Sequence, residues 1–148
     1  LDNGVTTVAE FPYNLNILTP SVYGDRRPVR GEIVALLHIT FDHRNLELIV
    51  SRSRGLGRNE IHELMITDDD KAGPGSGVDR VSAIAFFEVL VGGLVVVGDK
   101  VSIGGRPMGW VSGYDMTHMP NHMNVLVKTE TLDIDPISVG DNITIKKT

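Results

Sequence analysis

Two histidines, His118 and His122, lie four residues apart in the stretch 113–124, and Asp115 precedes the first of them by three residues. The chain has only five histidines, so this stretch concentrates much of its capacity for acid–base chemistry. Apolar, strand-like segments flank it, and we expect its polar side chains to be presented on a loop held by a rigid frame. The spacing would bring all three groups together on a helix, although Pro120 disfavours a regular one.

The same three side chains predict a metal site. Asp115, His118 and His122 form a ligand set that suits a divalent ion such as Zn, Mn, Fe or Ni and leaves positions open for water or substrate. A further donor would come from a distant part of the chain, from one of four candidates: Glu60, His62, Glu63 or Asp42. Two alternatives stay open: a metal-free site in which these groups act as acid and base, and a structural role in loop hydrogen bonds or a subunit contact.

Three arginines, Arg52, Arg54 and Arg58, stand in the glycine-containing segment Ser-Arg-Ser-Arg-Gly-Leu-Gly-Arg. Glycine lets backbone amides approach an anion, and the guanidinium fork clasps carboxylate or phosphate oxygens, so the segment predicts a small anionic ligand. An outward-facing edge with salt bridges between subunits explains the same arginines. The candidate ligand-binding set is completed by three residues beside the imidazoles: Tyr114, Asn121 and Asn124.

Glu60 and His62 would share one face of a strand, where the carboxylate could orient the imidazole as a general base. On an exposed segment the two residues are simply part of a charged surface. The segment 60–67 is too short for periodicity to distinguish a strand from a single helical turn.

The composition limits the function classes. The chain has 148 residues, 41% hydrophobic and 22% charged, which is typical of one globular domain. The net charge of −5 argues against nucleic acid as a partner, because phosphate binding needs a concentrated basic face. The absence of cysteine excludes disulfides, thiolate zinc sites and a cysteine nucleophile, and it fits a cytoplasmic protein. The longest apolar run, 89–97, is about half of the ~20 residues that a membrane-spanning helix needs, so no membrane partner is expected.

Local patterns predict the order of elements. Residues 1–28 predict an irregular or extended segment, because three prolines interrupt them. Two β-leaning runs, 29–41 and 46–50, predict a hairpin around a turn at 42–45. The polar, glycine-rich residues 68–77 predict a surface loop.

A helix is predicted over 79–90, where four apolar residues fall near the i, i+3, i+4 spacing: Val81, Ile84, Ala85 and Phe87. A glycine pair follows and would end this helix. The rest of the chain is β-rich, with strand-like runs at 94–97, 100–103, 109–112, 125–129 and 142–146.

One short pattern occurs twice, as VVGDKVSI at 96–103 and as SVGDNITI at 138–145. In each copy the glycine permits a sharp bend, the aspartate can accept hydrogen bonds from nearby amides, and an alternating apolar strand follows. The two segments resemble the GD box of the cradle-loop barrels, a group that includes double-psi, swapped-hairpin and riboflavin-synthase-like barrels. The resemblance implies a compact barrel and no particular activity.

Together these patterns predict a mainly β protein, a small closed or partly closed β-barrel with one α-helix at about 79–90, in a single domain over 1–148. Short apolar strands and glycine-rich rims favour a homo-oligomer. The functional hypothesis is a small soluble enzyme of the hydrolase or lyase type that acts on a small anionic metabolite, with Asp115, His118 and His122 as metal ligands or as acid and base. The alternative is a non-catalytic ligand-binding or scaffolding barrel, such as an accessory subunit, with structural histidines.

Overall fold

The computed structural model describes residues 23–148. Residues 24–28, at the end of the irregular segment predicted over 1–28, have no regular secondary structure, and residues 1–22 of that prediction lie outside the described residues. Eleven strands follow in this part of the chain: β1 (Val29–Phe41), β2 (Leu46–Glu47), β3 (Ser53–Leu56), β4 (Ile61–Thr67), β5 (Gly77–Val78), β6 (Val81–Val91), β7 (Gly93–Val96), β8 (Lys100–Ile103), β9 (Arg106–Asp115), β10 (Asn124–Lys128) and β11 (Asn142–Lys146).

Seven of these strands close into a barrel in the order β1-β11-β8-β9-β10-β4-β6, with β6 pairing back onto β1. Neighbouring strands are antiparallel except β10 and β4, which run parallel and pair Asn124 with Glu63. Two short pairs, β2-β5 and β3-β7, form separate two-stranded sheets. The prediction of a mainly β, closed barrel is confirmed.

Strand β4 shows how apolar residues are divided between two clusters. Leu64 and Ile66 belong to the central core, whereas Met65 between them belongs to a second cluster. That second cluster also contains Leu46 of β2 and Val78 of β5. The β2-β5 pair therefore covers the outer side of β4, and the strand is buried on both faces.

The prediction of a helix over 79–90 is wrong, because Val81–Val91 forms strand β6, which lies between β1 and β4. Residues 81–85 are consecutive and all buried, and the neighbours Ala83 and Ile84 belong to the second cluster and to the core, so both faces of this part of the strand are buried. A strand buried on both faces places apolar residues at positions that also satisfy helical spacing, and periodicity cannot separate the two. Within residues 23–148, no helix is long and apolar enough to span a membrane.

The hairpin predicted for 29–41 and 46–50 is also wrong. Strand β1 has the expected bounds, but it pairs with β6 and β11, while Leu46–Glu47 pairs with β5. Leu46 and Leu48 are buried in the second cluster, and this burial draws the segment over the outer wall of the barrel instead of back along β1.

The two Gly-Asp pairs form the same turn. The amide of Asp99 donates to the carbonyl of Val96 at 2.9 Å, and Oδ2 of Asp99 accepts the amide of Val96 at 2.9 Å. Asp141 repeats both contacts with Ser138, at 3.1 and 2.9 Å. The preceding glycines have φ values of 98° and 95°, in the left-handed region that glycine reaches without steric cost.

Each turn is bonded to a barrel strand in the same way. Gly98 donates to Val111 at 2.8 Å, and Val111 donates back to Asp99 at 2.9 Å. The second turn makes the same two bonds, of 2.8 and 2.9 Å, with Ile33. The strand sets β8-β9-β10 and β11-β1-β6 therefore repeat one local arrangement, and they meet where β8 pairs with β11.

The first turn also carries a shielded ion pair. Arg26 donates to both carboxylate oxygens of Asp99, at 2.8 and 2.7 Å, and to the carbonyl of Leu94 at 2.9 Å. The side chains of Arg26 and Asp99 are only 8% and 3% exposed. The hydrogen bond with Asp99 raises the pKa of Arg26 above its ordinary value. Removal of either partner would leave a buried charge uncompensated, which is strongly destabilising.

Gly109→Ala is expected to destabilise the barrel. A Cβ atom at Gly109 would overlap the backbone carbonyl oxygen of Lys128 on β10, and a backbone atom cannot rotate away as a side chain can. The free energy of unfolding, measured by urea titration, should fall by about 3 kcal/mol. Gly55→Ala is the matched control, because Gly55 lies in a strand with open space around its Cβ position; its effect should stay within about 0.5 kcal/mol. Equal stability of the two variants would contradict the close approach of β9 and β10.

Candidate functional site

The loop between β9 and β10 is built around the carboxylate of Asp115. The amides of Glu47 and Thr117 donate to it at 3.0 and 2.9 Å, and the side-chain amide of Asn124 donates at 3.2 Å. Asp115 is only 1% exposed. Burial alone would raise the pKa of Asp115, but these hydrogen bonds outweigh it and hold the pKa below its ordinary value. Asp115 thus anchors the loop in its ionised form.

The loop turns so that His118 and His122 lie side by side. The amides of Asn121 and His122 both donate to the carbonyl of His118, at 2.9 and 3.3 Å. The two ring centroids are 5.1 Å apart, and the ring planes are inclined by 30°. His122 also contacts the ring of Phe86 edge-to-face, with 5.2 Å between centroids. The two imidazoles therefore lie close together, as their spacing in the sequence suggested.

Side chains at both ring nitrogens position His122. Its Nε2 lies 3.1 Å from Oε1 of Glu63, and its Nδ1 lies 2.7 Å from the amide oxygen of Asn121. The side chains of His122 and Glu63 are only 14% and 12% exposed, so solvent screens their interaction weakly. With the oxygen of Asn121 facing Nδ1, both contacts can be hydrogen bonds at once only if each ring nitrogen donates. If the amide turns over, it donates to Nδ1 of the neutral ring, and the Glu63 contact is kept.

The exposed His118 contacts Arg44, with 3.3 Å between Nε2 and Nη2. A guanidinium group only donates, so Nε2 must be the unprotonated nitrogen of a neutral imidazole in this arrangement. The contact is long and therefore weak, and an anion bound to Arg44 would release the lone pair of Nε2. No sequence pattern marks Arg44 as a functional residue, because it lies in the turn predicted at 42–45 and its contact with His118 joins residues 74 positions apart.

A second imidazole–carboxylate pair supports the loop from β4. Nε2 of His62 lies 2.9 Å from Oε1 of Glu60, and Nδ1 of His62 accepts the amide of Met123 at 3.1 Å. Because Nδ1 accepts, the proton of this 6% exposed imidazole is on Nε2. Hydrogen bonds from His62 and from the amide of Gly57 lower the pKa of Glu60. The amide of Glu63 also donates to the carbonyl of Met123 at 3.0 Å, so β4 holds Met123 at both backbone groups.

The residues predicted to bind a ligand beside the imidazoles have different surroundings. Tyr114 is fully buried in the core, where its hydroxyl donates to the carbonyl of Val95 at 3.0 Å and burial raises its pKa. Asn124 is buried against Asp115. Of these three candidates, only Asn121 has a side chain that contacts one of the two loop imidazoles, that of His122.

The three arginines of the segment 52–58 are divided between two environments. Arg58 lines an open groove of about 600 Å³ together with Arg27. Arg52 and Arg54 are half-buried, and their Nε atoms have no hydrogen-bond partner among residues 23–148. The guanidinium that contacts an imidazole is that of Arg44.

In the part of the chain that the structure describes, no three His, Asp or Glu side chains form a cluster that could hold a metal ion. The carboxylate of Asp115 is engaged by two backbone amides and Asn124, while Glu63 is the carboxylate that reaches His122. The set predicted from spacing, Asp115 with His118 and His122, is thus not assembled around one point here.

Acid should weaken the anchoring by Asp115, because its pKa is lower in the folded chain than in the unfolded chain. The stabilisation is complete above the unfolded pKa of about 3.9 and is lost as the pH falls through the folded value. Asp115→Asn should lower the free energy of unfolding by about 2 kcal/mol at neutral pH, and its difference from wild type should shrink below about pH 4.

Urea titrations at a series of pH values measure this difference. The exposed Asp133→Asn variant is the control and should follow wild type throughout. A destabilisation by Asp115→Asn that stays constant into acid would show that the ionised carboxylate does not anchor the loop.

Comparison with known proteins identifies a family without an assigned activity. No curated protein and no solved structure shows a significant match to the chain. The model of a family of unknown function, DUF6917, matches residues 23–146. Since this match covers most of the sequence, the chain belongs to that family.

Proposed function

We propose that this protein is a small soluble enzyme of the hydrolase or lyase type that acts on a small anionic metabolite at the cluster formed by Arg44, His118, His122 and Glu63. The observation that supports the proposal is a continuous series of contacts from the guanidinium of Arg44, through two adjacent imidazoles, to the shielded carboxylate of Glu63. Titratable groups in mutual contact, on loops that are anchored to strands, are the groups that acid–base catalysis uses.

Each member of the cluster has a distinct role in this proposal. Arg44 binds the carboxylate or phosphate of the substrate, which frees Nε2 of His118. His118 then takes a proton from water in hydrolysis, or from the carbon next to a carboxylate in elimination. In its imidazolium form, His122 gives the Nδ1 proton to the leaving group once the substrate displaces the exposed side chain of Asn121, and Glu63 at Nε2 compensates the charge of the imidazolium.

Binding of small anions should depend on Arg44. In titrations with succinate, citrate and phosphate, followed by the imidazole carbon-bound proton signals in NMR, at least one anion should shift the His118 signal saturably. Arg44→Met should weaken that binding about tenfold or more, because a charge-assisted contact is lost. Arg80→Met is the matched control, since Arg80 is an exposed arginine whose ion pairs measure 3.4 and 3.5 Å. No saturable shift, or an equal loss in both variants, would rule out an anion site at Arg44.

Turnover should depend on His118. Suitable probes are p-nitrophenyl phosphate and p-nitrophenyl acetate for hydrolysis, and malate for elimination of water. For whichever probe reacts, His118→Ala should lower kcat by about 10²–10⁴-fold, whereas the exposed His38→Ala should leave it unchanged. Glu63→Gln should change the pH profile of kcat, because His122 loses its ionised partner. A rate unaffected by His118→Ala would contradict the assigned role.

The alternative function is a non-catalytic ligand-binding or scaffolding barrel, such as an accessory subunit, with structural histidines. It is favoured by one observation: three surface grooves are lined by residues outside the Arg44, His118, His122 and Glu63 cluster. Anion binding without turnover of any probe would support this alternative.

A divalent metal ion such as Zn, Mn, Fe or Ni also stays a prediction. Elemental analysis of the purified protein tests it directly. One metal ion per chain that is lost in His118→Ala would support ligation at the loop, whereas a metal-free protein that still turns over a probe would contradict a requirement for metal.

Three further assignments complete the proposal. We place the barrel among the cradle-loop barrels on the strength of its two matching Gly-Asp turns. Self-association into a homo-oligomer is supported by exposed apolar side chains at Ile61, Leu90 and Val91. A cytoplasmic location accords with the cysteine-free sequence.

A further inference from the structure

A groove of about 450 Å³ is lined by residues of strands β8 and β9 and of the segment 129–137. Its volume is within the range of small-molecule binding sites. Six of its lining residues define its chemistry: Lys100, Met108, Trp110, Glu130, Asp133 and Ile134. None of the residues assigned to the acid–base cluster lines it, so the groove is a separate feature of the molecule.

Trp110, the single tryptophan of the chain, is 48% exposed in this groove. It points away from the barrel interior, between its direct cross-strand neighbours Lys100 on β8 and Lys128 on β10. Among the residues that the structure describes, no aromatic ring or cation is stacked on the indole. A large aromatic ring with an uncovered face in a concave site is a platform for a flat, partly apolar ligand.

The positive and negative charges that line the groove nearly cancel. The basic side chains are Lys100 and Arg106, and the acidic ones are Glu130, Asp133 and Asp135. Arg106 and Asp135 face each other at 3.4 Å with side chains 61% and 76% exposed, which is a loose pair. Because no sign of charge dominates, the groove selects neither a polyanion nor a polycation. It instead offers hydrogen-bond donors and acceptors side by side around the indole.

We propose that this groove binds a neutral, polyhydroxylated ring, that is, a sugar. A sugar ring presents an apolar C–H face that can lie on the indole of Trp110, and a rim of hydroxyl groups that each donate and accept. Glu130 and Asp133 accept hydrogen bonds from that rim, and Lys100 donates to it. The inference does not depend on the acid–base function, because the two sites use different residues.

Intrinsic fluorescence tests the proposal directly, since the signal of a chain with one tryptophan reports on this groove alone. The probes are the methyl glycosides of glucose, galactose, mannose, xylose and N-acetylglucosamine. At least one should change the emission of Trp110 saturably, with a Kd on the order of 1 mM or lower. Glycerol at equal concentration should give no saturable change. Adenosine monophosphate tests a flat anion on the same platform and should bind more weakly than the best glycoside.

Variants assign the signal to the groove. Glu130→Gln and Asp133→Asn replace exposed carboxylates and should each weaken glycoside binding roughly 3- to 10-fold, through the loss of an ionised acceptor. The matched control is Asp42→Asn, an exposed carboxylate outside the groove, which should bind as wild type does. Calorimetry with Trp110→Ala should show no binding. The proposal is overturned if no glycoside gives a saturable signal, if adenosine monophosphate binds in preference, or if Asp42→Asn weakens binding equally.

Discussion

The barrel depends on two aspartates that are each bonded to their own turn. Asp99 and Asp141 accept the amide three residues before them, and each turn then exchanges two backbone hydrogen bonds with one residue of a barrel strand. Turns constrained in this way set the direction of β8 and β11, and those strands pair with each other. Closure of the barrel therefore rests on directional hydrogen bonds in addition to apolar burial, which has no direction of its own.

Strand β4 connects this frame to the candidate site. His62 and Glu63 are consecutive, so their side chains leave the strand on opposite faces, yet both hold the segment 122–123. The parallel pairing of Glu63 with Asn124 places that segment beside them, and parallel strands need a long connection between them. The position of His122 is consequently determined by residues about sixty positions earlier, not by the conformation of its own loop alone.

The sequence predicts the elements that local patterns determine, and it fails where contacts with residues distant in the chain determine the structure. The runs at 100–103 and 142–146 agree with β8 and β11, because alternation and a Gly-Asp turn are local features. The prediction of a helix over 79–90 failed because this segment is buried against two separate clusters, and the spacing of its apolar residues does not reveal them. The spacing predicted that the two imidazoles could lie together, and they do. It could not show that the carboxylate of Asp115 accepts hydrogen bonds from backbone amides. The contact of Arg44 with His118 had no local signal at all.

The strand pair β9-β10 carries both of the surfaces to which we assign function. Asp115 pairs with Asn124 beside the imidazole loop, and Trp110 pairs with Lys128 at the other end of the same pair. Asp115 lies five positions after Trp110 on β9, which is a distance of about 17 Å along an extended strand. A small metabolite cannot contact both ends, so the two proposed sites would take separate ligands. The paired strands β9 and β10 connect the two proposed sites, and at this separation we expect a local substitution in one site to leave binding at the other unchanged.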